Sequence, residues 1–301
     1  MDAVTTEEFR VVAQKTVVAQ SETMRAWRRF RRNRLALAGL VIVGLLCILA
    51  VCAPLLAPYG YAEQDLTARL LPPLSEGHVL GTDALGRDML SRQLFSLRTA
   101  LTIGFAAELG ALLIALVIGM LAGYRGGRLD QLLMSVTDVM YAFPAYLFSV
   151  LIVVVMGREV FAIVIAIAIT SWVTQARLVR AQVLKVKNYE FVESARSFGA
   201  KGPTIAVRYI LPNAIGPLLV TTSFGIPAAI MAESGLAILG LGVAPPTPSW
   251  GGMIVDGYRY VLTSPYLIAV PLVIFAVTML AFTWLGDGLR DAFDSNEEDH
   301  S

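Results

Sequence analysis

Residues 35–57 read "LALAGLVIVGLLCILAVCAPLLA", without one charged side chain. A helix rising 1.5 Å per residue over this stretch is long enough to cross a hydrocarbon core of about 30 Å. Directly before it stands "RAWRRFRRNR", with Arg25, Arg28, Arg29, Arg31, Arg32 and Arg34. Cytoplasmic flanks of membrane spans carry the excess of Lys and Arg, so the chain is expected to start inside the cell and cross outward here.

The rest of the 301 residues extends that reading. The chain is 56% hydrophobic and only 16% charged, with a mean hydropathy of +0.66; soluble domains sit near 45–50% apolar with about a quarter of residues charged. Further apolar runs lie at about 100–124, 132–156, 160–179, 215–239 and 266–285. The expectation is an all-α membrane protein with six transmembrane helices and both termini cytoplasmic. Arg125 and Arg128 follow the second run, and Arg177, Arg180, Lys185, Lys187, Arg196, Lys201 and Arg208 follow the fourth, all on the side predicted to be inside. The expected organisation is a basic segment at 1–34, a first span at 35–57 and an outer loop with an amphipathic helix at 58–97. A five-span core at 98–290 and a tail at 291–301 complete it.

The longest inner loop, "YEFVESARSFGAKGPTIAVRYILPN" at 189–213, is charged where its surroundings are apolar. Phe191, Ala195 and Phe198 recur at i, i+4 and i+7, one face of a helix. Gly199 is a suitable terminator, Thr204 a cap for a second short helix, and Pro212 an opening residue for the fifth span. Periodicity alone leaves two readings open: a helix lying on the membrane surface, or one docked in a groove of a partner.

Other polar marks are few. In "GTDALGRD" at 81–88, Thr82 or Asp83 could cap a helix bearing Leu90, Leu94 and Leu97. Asp83, Arg87 and Asp88 either pair and cap there or serve an outer gate or a protein contact. Ionisable groups inside spans are functional candidates: Glu108, which gets no role, Asp138 near the inner mouth, and Glu233. Glu233 is read as a pathway or gate residue, or else as a buried carboxylate at a helix break. Pro144, Pro227 and Pro271 are expected to interrupt spans, and Trp250 to anchor the outer loop at the interface. With no phosphate loop, no H-E-x-x-H, no G-x-S-x-G and histidines only at 78 and 300, neither catalysis nor a metal or nucleotide site is expected in this chain.

"ESARSFG" at 193–199 followed by "YILP" at 209–212 resembles the Glu-Ala-Ala…Gly…Ile-x-Leu-Pro loop of ATP-binding-cassette importer permeases. Glu193, Ala195, Gly199, Leu211 and Pro212 match; Ser194 and Tyr209 depart mildly. "GTDALGRDMLSRQLFSLRTAL" at 81–101, "ESGLAILGLGVAPPTPSWGGMI" at 233–254 and "WLGDGLRDAFD" at 284–294 are similar to the second permease subunit of dipeptide, oligopeptide and nickel importers. The resemblance implies a type I importer permease fold in a bacterial inner membrane, with coupling helices at 188–211. It implies that Phe191, Glu193, Ala195, Arg196, Phe198, Gly199, Ala200, Leu211 and Pro212 couple the chain to ATPase subunits. The implied partners are a sister permease, two ATPase subunits holding ATP and magnesium, an extracytoplasmic substrate-binding protein and membrane lipid, with no nucleic acid. Short peptides are the expected cargo; nickel chelates, glutathione and oligosaccharides are alternatives within the class. A stand-alone secondary transporter would need internal repeats with broken helices, and no duplication is visible.

Overall fold

Asn33 separates the first two helices. Its Oδ1 accepts from the Leu35 and Ala36 amides at 3.0 and 3.1 Å, capping the second helix as it ends the first. The computed structural model describes residues 22–293, so most of the basic segment and nearly all of the acidic tail lie outside it. Helix α1 (Glu22–Arg32) packs Ala26 and Phe30 on Ala36 and Ala292. The first span is α2 (Arg34–Leu56), and the second is α3 (Met89–Arg125). Then follow α4 (Gly127–Ala142), α5 (Ala145–Met156), α6 (Val160–Val186) and the short α7 (Glu190–Ser197). A single turn, α8 (Gly202–Ile205), runs through a π turn (Ala206–Ile210) into α9 (Leu211–Ile238). Helices α10 (Trp250–Tyr258) and α11 (Tyr266–Phe293) finish the described chain, which contains no strand.

Five helices are long and apolar enough to cross a membrane, and α4 with α5 makes a sixth if that bent pair counts as one span. The third span is interrupted at Pro144, as expected there, and bends by 86° between α4 and α5. Phe143 is extended, as the ring of a following proline demands, and the helix restarts after Pro144. Pro227 and Pro271 interrupt nothing; they sit inside the continuous α9 and α11. Neighbouring groups in a membrane bundle can tolerate the missing hydrogen bond, whereas Pro144 coincides with a real break.

The most extensive interface joins α3 to α6. Along α3, Ala107, Ala111, Ala115, Gly119 and Gly123 recur every fourth residue, and all are buried. A Cβ on Gly119 would come within 2.6 Å of the Ala176 carbonyl and Val179, and one on Gly123 within 2.7 Å of Val183. Lipid tails are as apolar as leucine, so spans associate by close backbone packing, which this ladder of small residues permits. Leu109, Leu113, Val117 and Leu121 form the opposite, exposed ridge. Helix α9 packs on α3, α6 and α11, and α2 lies against α11 and α3.

Contacts sort the joints into two ends. Asn33 donates to Asp291, Lys187 Nζ donates to the Gly123 carbonyl, and Gly202 abuts Tyr124, which brings the basic segments together. At the other end Tyr266 Oη donates to the Thr82 carbonyl and Trp250 Nε1 to Gln93 Oε1. Trp250 is wholly buried there, a peg between helices rather than an interface anchor. The expected outer amphipathic helix is also not a separate element. Asp88, not Thr82 or Asp83, caps α3, and the helix continues unbroken into the second span. Ser91, Arg92, Gln93 and Ser96 of its first turns are buried, because the 58–88 loop and α10 wrap them.

Candidate functional site

At the basic end, the chain leaves α6 through Lys187 and re-enters a helix at Glu190. Glu190 and Glu193 occupy the first turn of α7 and Arg196 its last, each complementing the helix dipole. Val192 and Ala195 are buried, and Val192 joins Val183, Val186, Ile205 and Ile210 in one apolar cluster with Ala200 and Leu211 at its edge. Phe191 and Phe198, predicted to share the face of Ala195, point away from it and are exposed, Phe198 by 92%. The inward face is thus 192/195, one residue displaced from the 191/195/198 reading.

Gly199 ends α7 with φ +82°, a left-handed conformation that costs other residues about 1–2 kcal/mol. The Ala200 amide then donates back to the Ala195 carbonyl and the Gly199 amide to the Arg196 carbonyl, both at 3.0 Å, the return bonds of a glycine-terminated helix. Nothing lies within 4 Å of where a Gly199 Cβ would be. Thr204 caps nothing: Lys201 is the residue before α8, and Pro203 already stands in its first turn, where a missing N–H needs no partner. Pro212 is exposed and stands in the first turn of α9, while the π turn before it lets the Leu211 amide reach the Ala206 carbonyl. Glu193, Arg196, Phe198 and Gly199 therefore form one exposed surface, and Ala195, Ala200 and Leu211 root it. Neither Glu193 nor Arg196 has an ion-pair partner among the described residues.

The intramembrane carboxylates occupy three different settings. Asp138 is exposed and accepts from Arg177 Nη2 at 2.7 Å, with the Arg177 guanidinium 4.4 Å from the Tyr141 ring centre. Glu233, 1% exposed, is enclosed by the chain itself. Ser249, Ser234 and the Val243 backbone are its polar neighbours, and its Oε1 has no partner. Glu233 lies inside α9, five residues before that helix ends, rather than at a break. Glu108, given no role from sequence, sits where α3, α6 and α9 meet. Gln175 Nε2 donates to its Oε1 at 2.5 Å, and Gly225 leaves room for its carboxyl, which any side chain there would displace. The clue was present in Gln175 and Gly225, but their meeting depends on the register of three helices.

At the opposite end, Asp83, Arg87 and Asp88 pair and cap. Asp83 Oδ1 accepts from the Leu85 and Arg87 amides, and its Oδ2 accepts from Arg87 Nε at 2.7 Å. Asp88 Oδ2 accepts from the Ser91 amide and hydroxyl, while His78 Nδ1 lies 2.9 Å from Asp88 Oδ1. All three motif residues are buried, and Asp83 and Arg87 line a recess of about 230 Å³ with Arg92, Asp256, Arg259 and Tyr260.

Residues 115–297 match the family described as binding-protein-dependent transport system inner membrane component, and residues 21–73 match the N-terminal TM domain of oligopeptide transport permease C. The chain is 43% identical to the dipeptide transport system permease protein DppC of Bacillus subtilis, over 91% of this chain and 86% of that one. It is 41% identical to the oligopeptide permease OppC of the same organism, covering 89% and 88%. It is 40% identical to the glutathione permease GsiD of Pectobacterium atrosepticum, covering 89% of each. Among solved structures, the inward-facing MetNI methionine ABC transporter has the same fold, with a TM-score of 0.55 at 18% identity over 68% of this chain and 97% of that one.

Proposed function

The chain belongs to the family of binding-protein-dependent transport system inner membrane components, and from that membership we propose that it forms half of a translocation pathway for short peptides. Relatives named for dipeptide, oligopeptide and glutathione transport all carry small peptides, which favours that cargo over metal chelates or sugars. The other half is a sister permease, and the energy comes from two ATPase subunits that hold ATP and magnesium; this chain is not itself an enzyme. The arginine-rich ends lie in the cytoplasm and the 58–88 loop faces outward, toward a soluble substrate-binding protein.

The observation that carries the coupling role is the split of the 189–201 loop into a rooted face and an exposed face. Val192 ties α7 to Val183 and Val186 at the end of α6. Glu193, Arg196, Phe198 and Gly199 stay open for a cleft on the ATPase, with Phe198 as the apolar anchor. A push on α7 then reaches α6, and through the close α3–α6 seam it reaches the core spans. Closure of the two ATPase subunits on ATP moves these loops together and opens the cavity outward; hydrolysis resets it. Glu193→Ala and Gly199→Val are expected to leave the complex assembled but to uncouple peptide uptake from ATP hydrolysis in proteoliposomes. Uptake at the wild-type rate in both variants would sink the coupling role.

A further inference from the structure

The recess at the outer end has an unusual charge arrangement. Three guanidiniums, of Arg87, Arg92 and Arg259, line it against two carboxylates, of Asp83 and Asp256. Asp83 is already committed to Arg87 at 2.7 Å. Arg92, 5% exposed, is incompletely partnered: its Nε pairs with Asp83 Oδ2 at 3.4 Å, its Nη1 donates to the Tyr61 carbonyl at 3.3 Å, and Asp256 attracts it without a direct ion pair while Arg87 repels it. A guanidinium has five N–H donors, and a buried one is costly until an acceptor of opposite charge completes its set. Arg259, exposed at the rim, has no ion-pair partner among the described residues. The missing group is therefore an anion that reaches in past Arg259 toward Arg92.

Size and lining narrow the ligand further. At about 230 Å³ the recess is smaller than the pockets of roughly 300–1,000 Å³ that enclose whole small-molecule ligands. It fits one side chain, not a peptide. Met89, Met253 and Leu267 supply an apolar wall for a methylene stem, and the arginines receive a carboxylate tip. We propose that this recess is a docking socket for an aspartate or glutamate side chain of the soluble substrate-binding protein. The inference rests on the reading of this end as the outer face of an importer.

The test uses the whole complex, with its sister permease and ATPase subunits, in lipid nanodiscs, titrated with the peptide-loaded binding protein while ATP hydrolysis is followed. Arg259→Glu places a like charge at the mouth of the socket without touching the Asp83 network. It is expected to raise the binding-protein concentration for half-maximal stimulation about tenfold, with the maximal rate preserved, and Arg259→Lys to raise it less. A binding-protein variant with the responsible acid changed to Lys should restore Arg259→Glu. An unchanged half-maximal concentration would overturn the socket. So would separation of the two permeases on size exclusion of the variant complex, which would assign the carboxylate to the sister subunit. If the wild-type complex shows no stimulation by any binding protein, the importer reading itself fails instead.

Discussion

The two loop regions at opposite ends of the bundle are built on opposite plans. The 82–88 stretch of the outer loop buries its polar groups and partners them internally: Asp83 with Arg87, Asp88 with His78 and Ser91, and Thr82 with Leu71 and Tyr266. The 189–201 loop leaves Glu193 and Arg196 without ion-pair partners among the described residues and Phe198 in the open. A surface that satisfies itself is a scaffold, whereas one that leaves aromatic and charged groups unspent is made to be completed by another protein. The difference teaches that motif residues need not touch what the motif serves. At the outer end they build the wall of a recess, and at the inner end they stand exposed.

Substitutions at the two ends should therefore fail differently. Gly86→Val is expected to have the largest effect on folding, because Gly86 has φ +71° and a Cβ there would strike the Asp65 carbonyl; monodisperse protein should be lost on size exclusion in mild detergent. Asp83→Ala leaves Arg87 and Arg92 buried without their carboxylate and should cost about 3–5 kcal/mol, read as a large fall in thermal stability with little assembled complex. Gly199→Val meets no clash and should cost only the local backbone strain, about 1–2 kcal/mol, while abolishing coupled uptake. Phe198→Ala should change stability by less than about 0.5 kcal/mol and still reduce recovery of the ATPase subunits with the complex. Wild-type melting for Asp83→Ala, or a large loss of stability for Phe198→Ala, would break the contrast between the two ends.

Much of the molecule was legible along the chain. Long uncharged runs can only be spans, and the arginine clusters sort their ends, because both effects depend on composition within a short window. The inner loop was legible as a charged interruption closed by Gly199. Its inward face was not, since the burial of Val192 depends on packing against Val183 and Val186 of α6 and Ile205 and Ile210 after it. Pro144, Pro227 and Pro271 looked alike in sequence, yet only Pro144 breaks a helix, since whether a break forms depends on what the neighbouring spans supply. Glu108 stood as a lone carboxylate until Gln175 and Gly225 met it.

By itself, then, the sequence determined that this chain crosses a membrane repeatedly, which ends carry the basic loops, and which short segments break the apolar pattern. Each of those follows from the free energy of placing local groups in lipid or water. The tertiary structure alone decided which side chains pair across helices: the seam of α3 on α6, the enclosure of Glu233, the burial of Trp250, and the incompletely partnered Arg92 beside Arg259. Those depend on the register of helices far apart in the chain, where a shift of one residue turns a side chain about 100° around its axis and replaces every partner it has.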